Sequence, residues 1–430
     1  MKSLSKKFIV SCLTHCSRRV LARYAPSVVA ITGSAGKTST KDAVRAVLAR
    51  QYRTRGSEKS FNSELGVPLT ILGLANAWKS VLGWFGNLLR AFFLAYGPRV
   101  RYPEWLVLEV GADRPGDITR IMRYVKPIIA IITCIGEIPV HVENFPTPRD
   151  LAREKSLLAN ALPENGMLIL NADDNTVSGM GAAHKGPLLR YGFSEGADVR
   201  ASHTQIMYEG NRPVGLTLKV DAIGKSIPLR LPDTFGEHNV GAALAALAVG
   251  ITTHINPLRC AEALQTLVPP RGRLRLIDGV KGTLILDDSY NASPVAVIAA
   301  LDTVEKLRVE GRKISILGDM MELGVYAPEA HRAVGKRAAK VLDALYLVGT
   351  RAKFIGEGAR EEGMATTKIK TFDESAAAGR ALEYDLKSGD LILVKGSQYV
   401  RMERAIYEIM AEPSRASELL VRQEEEWKKR

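Results

Sequence analysis

A short glycine-rich loop near the start of the chain has the residue types that bind a polyphosphate. The loop GSAGKT follows the apolar run SVVAIT (27–32) and precedes a stretch with helical periodicity from Ser39 to Arg50. Backbone N–H groups of such a loop, with a helix N-terminus behind them, favour bound phosphate. We expect Lys37 to reach the β- and γ-phosphates and the Thr38 hydroxyl to coordinate Mg²⁺. The predicted nucleotide-binding residues here are Gly33, Ser34, Ala35, Gly36, Lys37, Thr38 and Ser39.

The loop departs from the full Walker pattern, because Ile31 stands in place of its first glycine. Two side chains after later strands support the same chemistry. Glu109 ends the run WLVLE, and His141 follows the run IIAIIT. Ligands of open α/β sheets bind at the carboxyl ends of the strands, where a carboxylate can hold Mg²⁺. The alternatives are a helix-capping acid and a structural histidine.

Two further polar segments follow apolar strands in the second half of the chain. Asp287 and Asp288 close one strand and lead into SYNASP, which predicts another loop that faces a ligand. The alternative is a simple strand-turn-helix in which Asn291 or Ser293 caps the helix. Lys395, in Lys-Gly-Ser after the run LILV, carries a positive charge suited to a carboxylate or phosphate.

The elements that must position these residues predict an α/β protein. A central ATPase-like domain with a parallel sheet is expected first, because its strands are continuous apolar runs. A smaller, Rossmann-like C-terminal domain follows, with strands at 283–286, 313–317, 345–348 and 391–394, and an antiparallel patch is expected between 188 and 231. The predicted segments are a basic amphipathic helix (1–25), the central domain (26–269) with an apolar insert (76–103), the C-terminal domain (270–412) and a polar tail (413–430).

Composition narrows the class of partner. The 430 residues carry a net charge of +13, which favours anionic partners, and no nucleic-acid-binding motif is present. The four cysteines form no metal-ligand or CxxC spacing, which favours a reducing cytoplasm. The most apolar run, 81–96, is too short and too polar to span a bilayer, and the N-terminus lacks a cleavage site for secretion.

Eight sequence blocks, in order, resemble the Mur ligases of peptidoglycan synthesis. DDSYNASP and LGDMMELG point to the branch that adds D-alanyl-D-alanine. The blocks are TGSAGKTST (32–40), FNSELGVPLTIL (61–72), LEVGADRPGDI (108–118), HVENF (141–145), GEHNVGAALAA (236–246), LDDSYNASP (286–294), LGDMMELG (317–324) and VKGSQYVRMER (394–404).

The resemblance implies an amide ligase that consumes ATP with Mg²⁺. ATP phosphorylates a muramyl-peptide carboxylate, and the amine of D-Ala-D-Ala or a similar compound then displaces phosphate. It implies that Thr38, Glu109 and His141 hold metal, that Lys37, Glu109, His141 and Lys155 are catalytic, and that Lys155 is carbamylated; a plain surface lysine is the alternative for Lys155. It further implies that Asn239, Arg273, Asp288 and Asn291 lie near the nucleotide, and that Asn62, Ser63, Lys395 and Ser397 face substrate.

Two departures from the family pattern bear on the acceptor. Only about 26 residues precede the phosphate loop, so we expect the domain that grips the UDP moiety in relatives to be absent. The insert at 76–103 is long and apolar, and with the helix at 1–25 it predicts peripheral contact with the inner face of the membrane through Trp84 and Phe85. A helix packed in the core or in a dimer is the alternative, and the oligomeric state stays open. A ligase acting on a lipid-linked or other non-UDP acceptor, and a non-catalytic nucleotide-binding scaffold, remain competing functions.

Overall fold

Two β-sheets organise the chain. The computed structural model describes residues 3–57 and 60–428, and within these ranges it contains a nine-stranded and a six-stranded sheet. The strands of the first sheet are β1 (Ser27–Thr32), β2 (Thr54–Gly56), β3 (Trp105–Glu109), β4 (Ile129–Ile132), β5 (Met167–Asn171), β6 (Leu188–Gly192), β7 (Val199–Glu209), β8 (Arg212–Ala222) and β9 (Lys225–Pro232). Those of the second are β10 (Arg275–Gly279), β11 (Thr283–Asp288), β12 (Lys313–Gly318), β13 (Ala344–Val348), β14 (Ile369–Phe372) and β15 (Leu391–Lys395).

The first sheet has the order β2-β3-β1-β4-β5-β6-β7-β8-β9. Its strands are parallel from β2 to β7, and β7, β8 and β9 are antiparallel. β3 and β4 are buried along their whole length, whereas β9 alternates between exposed and buried positions. The patterns follow from helices on both faces of the parallel part and one solvated face on the antiparallel part. The predicted α/β class and the antiparallel extension are therefore confirmed.

Helices cover both faces of each sheet. The helices of the first half are α1 (Ser3–Tyr24), α2 (Lys37–Leu48), α3 (Gly66–Leu72), α4 (Val81–Tyr96), α5 (Asp117–Met122), α6 (Pro148–Ser156), α7 (Asn175–Ser178), α8 (Glu237–Thr252) and α9 (Pro257–Gln265). Those of the second half are α10 (Pro294–Lys306), α11 (Ala327–Val341), α12 (Lys353–Glu361), α13 (Ser375–Asp385), α14 (Glu403–Ile409), α15 (Ala416–Leu419) and α16 (Glu425–Lys428). α2, α8 and α9 share one core with the first sheet, and α1, α3, α4, α5 and α6 share the other.

Local sequence fixes where several of these helices begin. The side chains of Ser80, Thr147, Asn256 and Ser293 each accept a hydrogen bond from a backbone N–H of the first turn. A proline occupies the first turn of α6, α9 and α10, where its missing N–H costs no hydrogen bond. The capping role considered for Ser293 is thus present.

The second sheet has the order β10-β11-β15-β12-β13-β14, and all neighbours are parallel except β10 and β11. α10, α11 and α12 pack on one face, and α13, α14 and α15 on the other. The four predicted strands are present. β10 and β14 were not predicted, because they lie at the two edges of the sheet and their sequences, RLIDG and IKTF, contain no continuous apolar run.

The two terminal segments pack against the domains. α1 buries Ile9, Leu13 and Val20 in the core that it shares with α3 and α4. The segment expected as a polar tail instead buries Leu420 and Arg422, because it lies across the end of the second sheet. Residues 1, 2, 429 and 430 of the predicted end segments lie outside the described residues. In the described part of the chain, every helix is too short or too polar to cross a membrane.

A close crossing of α11 and α12 gives a test of the packing. A Cβ added at Gly335 would lie 2.0 Å from the carbonyl oxygen of Ile355, whereas one at Gly86 in α4 would meet nothing within 4 Å. We expect Gly335→Ala to lower the free energy of unfolding by about 2–4 kcal/mol, because the helices must separate. Gly86→Ala is the matched control and should leave stability equal or slightly raised. Equal urea midpoints for the two variants would contradict this packing.

Candidate active site

The phosphate loop is held in shape by the end of the neighbouring strand. Gly33 and Gly36 have φ of 149° and 83°, and a Cβ at Gly33 would lie 2.0 Å from the Thr133 hydroxyl. Thr133 donates to the carbonyl of Ala35 at 2.6 Å, and the N–H groups of Ser34 and Ala35 donate to the carbonyl of Cys134. Only glycine fits the first position, and the loop is preorganised between β1 and α2.

A buried lysine, Lys155, and a half-buried one, Lys37, converge on one carbonyl of this loop. The ammonium of Lys37 donates to the Gly33 carbonyl at 2.8 Å, and that of Lys155 donates to the same oxygen at 3.1 Å. Burial lowers the pKa of Lys37, and the charge of Glu109 opposes this shift. Burial, and then repulsion by Lys37, lowers the pKa of Lys155 to about 7. Lys155 is therefore buried, and the alternative of a plain surface lysine is wrong. The two ammonium groups give the site a positive charge that a polyphosphate would neutralise.

The proposed magnesium ligands Thr38 and Glu109 are neighbours. The Thr38 hydroxyl lies 3.1 Å from Glu109 Oε2 and 2.7 Å from the Ser60 hydroxyl, while Asn62 Nδ2 lies 3.5 Å from Glu109 Oε1. A hydroxyl and a carboxylate are the oxygen donors that Mg²⁺ prefers, so these residues fit that ion. In the described residues no three His, Cys, Asp or Glu side chains converge to enclose a metal, so phosphate oxygens and water would have to complete such a site.

His141 lies where the two domains meet. Its Nδ1 is 2.7 Å from a carboxylate oxygen of Glu322, and its Nε2 is 3.4 Å from Asp113. Both His141 and Glu322 have positive φ, at 71° and 65°, which is uncommon for residues other than glycine. The charge of Asp113 acts on both Lys37 and Lys155, which connects this group to the phosphate loop. Metal coordination by His141 stays a prediction, because both its nitrogens face carboxylates here.

The C-terminal domain contributes a buried ion pair. Lys395 Nζ lies 2.6 Å from Asp288 Oδ2 and donates to the Asn291 carbonyl at 2.9 Å. Asp288 and Lys395 are partners in the register of β11 and β15. Burial lowers the pKa of Lys395, and Asp288 opposes this. Residues predicted separately, near the nucleotide and near the substrate, thus form one cluster.

Two predicted substrate residues have structural partners. The hydroxyl of Ser397 accepts from the N–H of Met321 at 2.9 Å, and that of Ser63 accepts from the N–H of Gly66 at 3.3 Å. Ser397 therefore fixes the LGDMMELG loop against β15, and Ser63 fixes the first turn of α3. Substrate contact by either residue remains a prediction.

Asn239, at the start of α8, and Arg273 are two of the residues predicted to lie near the nucleotide. Asn239 Nδ2 donates to the Phe235 carbonyl at 2.9 Å, and the Arg273 guanidinium lies 4.2 Å from the centroid of Tyr290. The charge of Arg273 contributes to the lowered pKa values of both Lys37 and Lys395. Arg273 therefore interacts with a lysine of each domain. We call the region between the domains that holds the positive charges of Lys37, Lys155, Arg273 and Lys395 the cationic cleft.

Three site residues were not predicted from the sequence. Burial lowers the pKa of His238 to about 4, and its Nδ1 has no hydrogen-bond partner among the residues described. The other two are Asp113 and Glu322, which contact His141. All three lie inside the quoted blocks, GEHNVGAALAA, LEVGADRPGDI and LGDMMELG, which was the signal available. The Ser34 hydroxyl is likewise buried without a partner in the described part of the chain, as a ligand-facing group would be.

A phosphate loop, a neighbouring hydroxyl–carboxylate pair and a cationic cleft between two α/β domains define a nucleotide-binding ligase class of site. The model of the Mur ligase middle domain matches residues 31–82 and 95–250, and that of the Mur ligase glutamate ligase domain matches 272–398. The chain belongs to the Mur ligase family.

Named relatives agree with this assignment. UDP-N-acetylmuramoyl-tripeptide–D-alanyl-D-alanine ligase of Bacillus subtilis is 29% identical over 94% of this chain and 80% of its own length. The ligase of the same name from Mycobacterium tuberculosis H37Rv is 30% identical over 86% and 70%. The crystal structure of MurF ligase from Thermotoga maritima in complex with ADP matches with a TM-score of 0.76 and 27% identity, over 93% of this chain and 83% of that one.

The buried Lys155 amine predicts a pH dependence of stability. The pKa of about 7 lies below that of lysine in an unfolded chain, about 10.4, so the unfolded state binds more protons between these values. Stability contributed by this site therefore rises as the pH rises from about 7 to about 10. In bicarbonate-free buffer, Lys155→Met should be more stable than the parent by about 1–3 kcal/mol at pH 7, since a costly buried charge is removed.

The difference between Lys155→Met and the parent should shrink towards pH 10. Lys340→Met, at a lysine that is 58% exposed, is the control and should change stability by less than about 0.5 kcal/mol. Urea unfolding at both pH values measures the differences. A loss of stability in Lys155→Met at pH 7 would contradict the lowered pKa.

Proposed function

We propose that this chain is an ATP-dependent, ADP-forming ligase of peptidoglycan precursor synthesis. It would join the terminal carboxylate of a muramyl peptide to D-alanyl-D-alanine or a similar amine. The observation that carries the proposal is the convergence of Lys37 and Lys155 on the Gly33 carbonyl of the phosphate loop, facing a second domain that supplies Lys395. The printed names of the relatives support the choice of substrates.

The first step needs charge neutralisation more than covalent participation by the protein. An oxygen of the acceptor carboxylate attacks the γ-phosphorus of ATP, the bond from that phosphorus to the bridging oxygen breaks, and ADP leaves. Two anions must approach each other, so preorganised cations lower the barrier. Lys37 would leave the Gly33 carbonyl to meet the phosphates, and backbone N–H groups at the start of α2 would hold them, since those of Ser34 and Ala35 already donate to Cys134. Thr38 and Glu109 would hold Mg²⁺, which would neutralise further charge on the phosphates.

The second step forms the amide. The amine nitrogen attacks the carbonyl carbon of the acyl phosphate, its proton passes to solvent or to a base, and inorganic phosphate leaves with the former carboxylate oxygen. Lys395 on β15 lies on the C-terminal side of the cleft, where its charge suits a substrate carboxylate. We assign Asn62, Ser63 and Ser397 to substrate positioning as part of the same proposal, with Asn239, Arg273, Asp288 and Asn291 around the nucleotide.

Carbamylation of Lys155 belongs to the proposal. An amine reacts with CO₂ only when neutral, and a pKa of about 7 makes much of Lys155 neutral at physiological pH. The carbamate would replace a cation by an anion beside Lys37, which would remove the repulsion by Lys37 that now lowers the pKa of Lys155. His141 would serve as a second metal ligand on its release from Glu322 or Asp113.

We place the reaction in the cytoplasm, where ATP is made and where the four unpaired cysteines stay reduced, with a position at the inner face of the membrane. A lipid-linked muropeptide is the second candidate acceptor, favoured by the exposed apolar residues of α4. A non-catalytic scaffold would not need Lys37, Glu109 and Lys155 gathered around one loop.

An assay of phosphate release tests the proposed reaction. The purified chain with ATP, Mg²⁺ and UDP-muramyl-tripeptide should release phosphate only when D-Ala-D-Ala is added. Lys37→Ala should lower kcat by roughly a thousandfold, because it removes a cation that acts in the transition state. Lys353→Ala, at an exposed lysine outside the cleft, is the control and should retain full activity. Full activity in Lys37→Ala would contradict the assignment of the phosphate loop. Phosphate release that does not depend on D-Ala-D-Ala would contradict the proposed amine substrate.

Dependence on CO₂ tests the role of Lys155 separately. Activity should fall severalfold on exhaustive removal of CO₂ at pH 8 and return on addition of bicarbonate, because the carbamate forms reversibly. Mass spectrometry under native conditions should detect the added CO₂ on the parent and not on Lys155→Met. Activity that does not depend on bicarbonate, together with an unmodified parent, would contradict carbamylation and show that Lys155 acts as a buried amine.

A further inference from the structure

One face of α4 exposes a continuous set of large apolar side chains. Their spacing follows the helical period, so they lie on one side, and their exposed fractions run from 45% to 83%. We call this the apolar face of α4; it consists of Val81, Leu82, Phe85, Leu89, Phe92, Phe93 and Tyr96. A contiguous exposed patch of this kind marks an interaction site.

The opposite face of α4 fixes the helix in this orientation. Trp84 is 4% exposed and donates from its indole N–H to the Trp78 carbonyl at 3.0 Å. Asn87 donates to the Ala75 carbonyl at 2.8 Å. Arg23 of α1 donates to carbonyls at the C-terminal end of α4, including that of Ala95 at 3.1 Å. The sequence-based expectation that Trp84 contacts lipid is therefore wrong. The exposed aromatic side chains of α4 beside Phe85 are instead Phe92 and Phe93.

The surroundings of the apolar face are basic. Residues 1–41 and 65–103 contain no aspartate or glutamate. The acids that border these segments have basic partners: Glu64 lies 3.7 Å from Lys6 and 3.8 Å from Arg120, and Glu104 lies 3.6 Å from Arg53. Exposed basic side chains on α1 and around α4 complete the rim: Lys7, Arg18, Arg19, Lys79, Arg90, Arg99 and Arg101.

We propose that α1 and the apolar face of α4 form a docking surface for an anionic lipid membrane. Aromatic and aliphatic side chains in the middle of a basic rim match the boundary between acyl chains and negatively charged headgroups. The 16 residues of α4 are too short to span a bilayer but suit a helix that lies in its surface.

Charge decides against a second copy as the occupant. Two such surfaces brought face to face would place basic rims against each other, and no acidic residue of 1–41 or 65–103 is available to pair with them. The Mur ligase middle-domain model matches residues 31–82 and 95–250, and most of α4 lies in the gap between these two ranges. The packing common to that domain therefore does not explain why α4 exposes an apolar face. The surface is separate from the phosphate loop, and the inference goes beyond the proposed reaction.

Sedimentation with vesicles tests the surface. The full chain should bind vesicles of phosphatidylglycerol and phosphatidylcholine, bind pure phosphatidylcholine far more weakly, and lose affinity as salt is raised. The triple variant Phe85→Ser, Phe92→Ser, Phe93→Ser should bind roughly a hundredfold more weakly. Its matched control replaces exposed apolar residues elsewhere, Ile223→Ser, Leu258→Ser, Tyr384→Ser, and should bind as the parent does.

A charge variant keeps the proposal testable if the apolar variant misfolds. Lys79→Gln, Arg90→Gln, Arg101→Gln should weaken binding to anionic vesicles roughly ten- to hundredfold. Lys225→Gln, Arg230→Gln, Arg259→Gln removes equal charge from exposed positions distant in sequence and should bind as the parent does. Circular dichroism should be unchanged in all four variants, and so should phosphate release with soluble substrates. Vesicle binding is measured without the ligase reaction, so the test of the docking surface stands even if the proposed reaction is not observed.

Three outcomes would overturn the docking surface. The first is absence of binding to anionic vesicles at low salt. The second is equal loss of binding in the apolar variant and its matched control. The third is a concentration-dependent dimer, seen by sedimentation velocity and abolished by the apolar variant, without vesicle binding; it would assign the face to a second copy of the chain.

Discussion

The site depends on positive charge held in buried and half-buried positions, where water screens it poorly. Lys37 and Lys155 share the Gly33 carbonyl, and Lys395 is buried across the cleft with Arg273 between them. Burial lowers the pKa of all three lysines, which means that the fold holds them against their preference for hydration. Lys395 already has Asp288 as its partner, whereas Lys37 and Lys155 donate to backbone carbonyls, so an added anion would stabilise those two charges most. A nucleotide polyphosphate would supply that anion, and on the proposed mechanism phosphoryl transfer would use the same charges.

The two sheets make this concentration of charge possible. In each, a predicted site lysine lies at or after the carboxyl end of a parallel strand: Lys37 follows β1 through the phosphate loop, and Lys395 is the last residue of β15. Thr133 and Cys134 at the end of β4 hold the phosphate loop open, and Asp288 at the end of β11 holds Lys395. The contact between His141 and Glu322 joins the domains close to this charge, with both residues at positive φ. The domain interface and the site are therefore one structural unit.

The sequence predicted what is local and periodic. The run SVVAIT, the glycines after it and the helix that follows specify a strand, a tight loop and a helix N-terminus, and the structure contains all three. The two predicted magnesium ligands are also neighbours, because Glu109 ends β3, which pairs with β1, and Thr38 lies at the start of α2, just after the loop that follows β1. The pairing of Asp288 with Lys395 was not predicted, since it depends on the strand order β11-β15-β12, which joins segments about a hundred residues apart.

Other features required knowledge of packing. Nothing in the run VLGWFGNLLRAFFLAY shows which face α1 covers, and the structure buries Trp84 while it exposes Phe85. The segment after 412 has a polar composition, yet Arg422 is buried and donates to Glu403 at 3.0 Å. A buried charge of this kind depends on a partner that is distant in sequence until folding brings it close. Asp113 and Glu322 were missed for the same reason, because their common partner His141 lies on another loop.

Transfer of an oxygen isotope tests the central claim, that the cationic cleft activates a carboxylate by phosphorylation. The acceptor peptide is labelled with ¹⁸O in its terminal carboxylate and converted with ATP and the amine, and the released phosphate is analysed by mass spectrometry. The account predicts that one labelled oxygen from each acceptor appears in inorganic phosphate, because the acyl phosphate breaks at its carbonyl carbon. Phosphate without label, alongside amide product, would contradict the account.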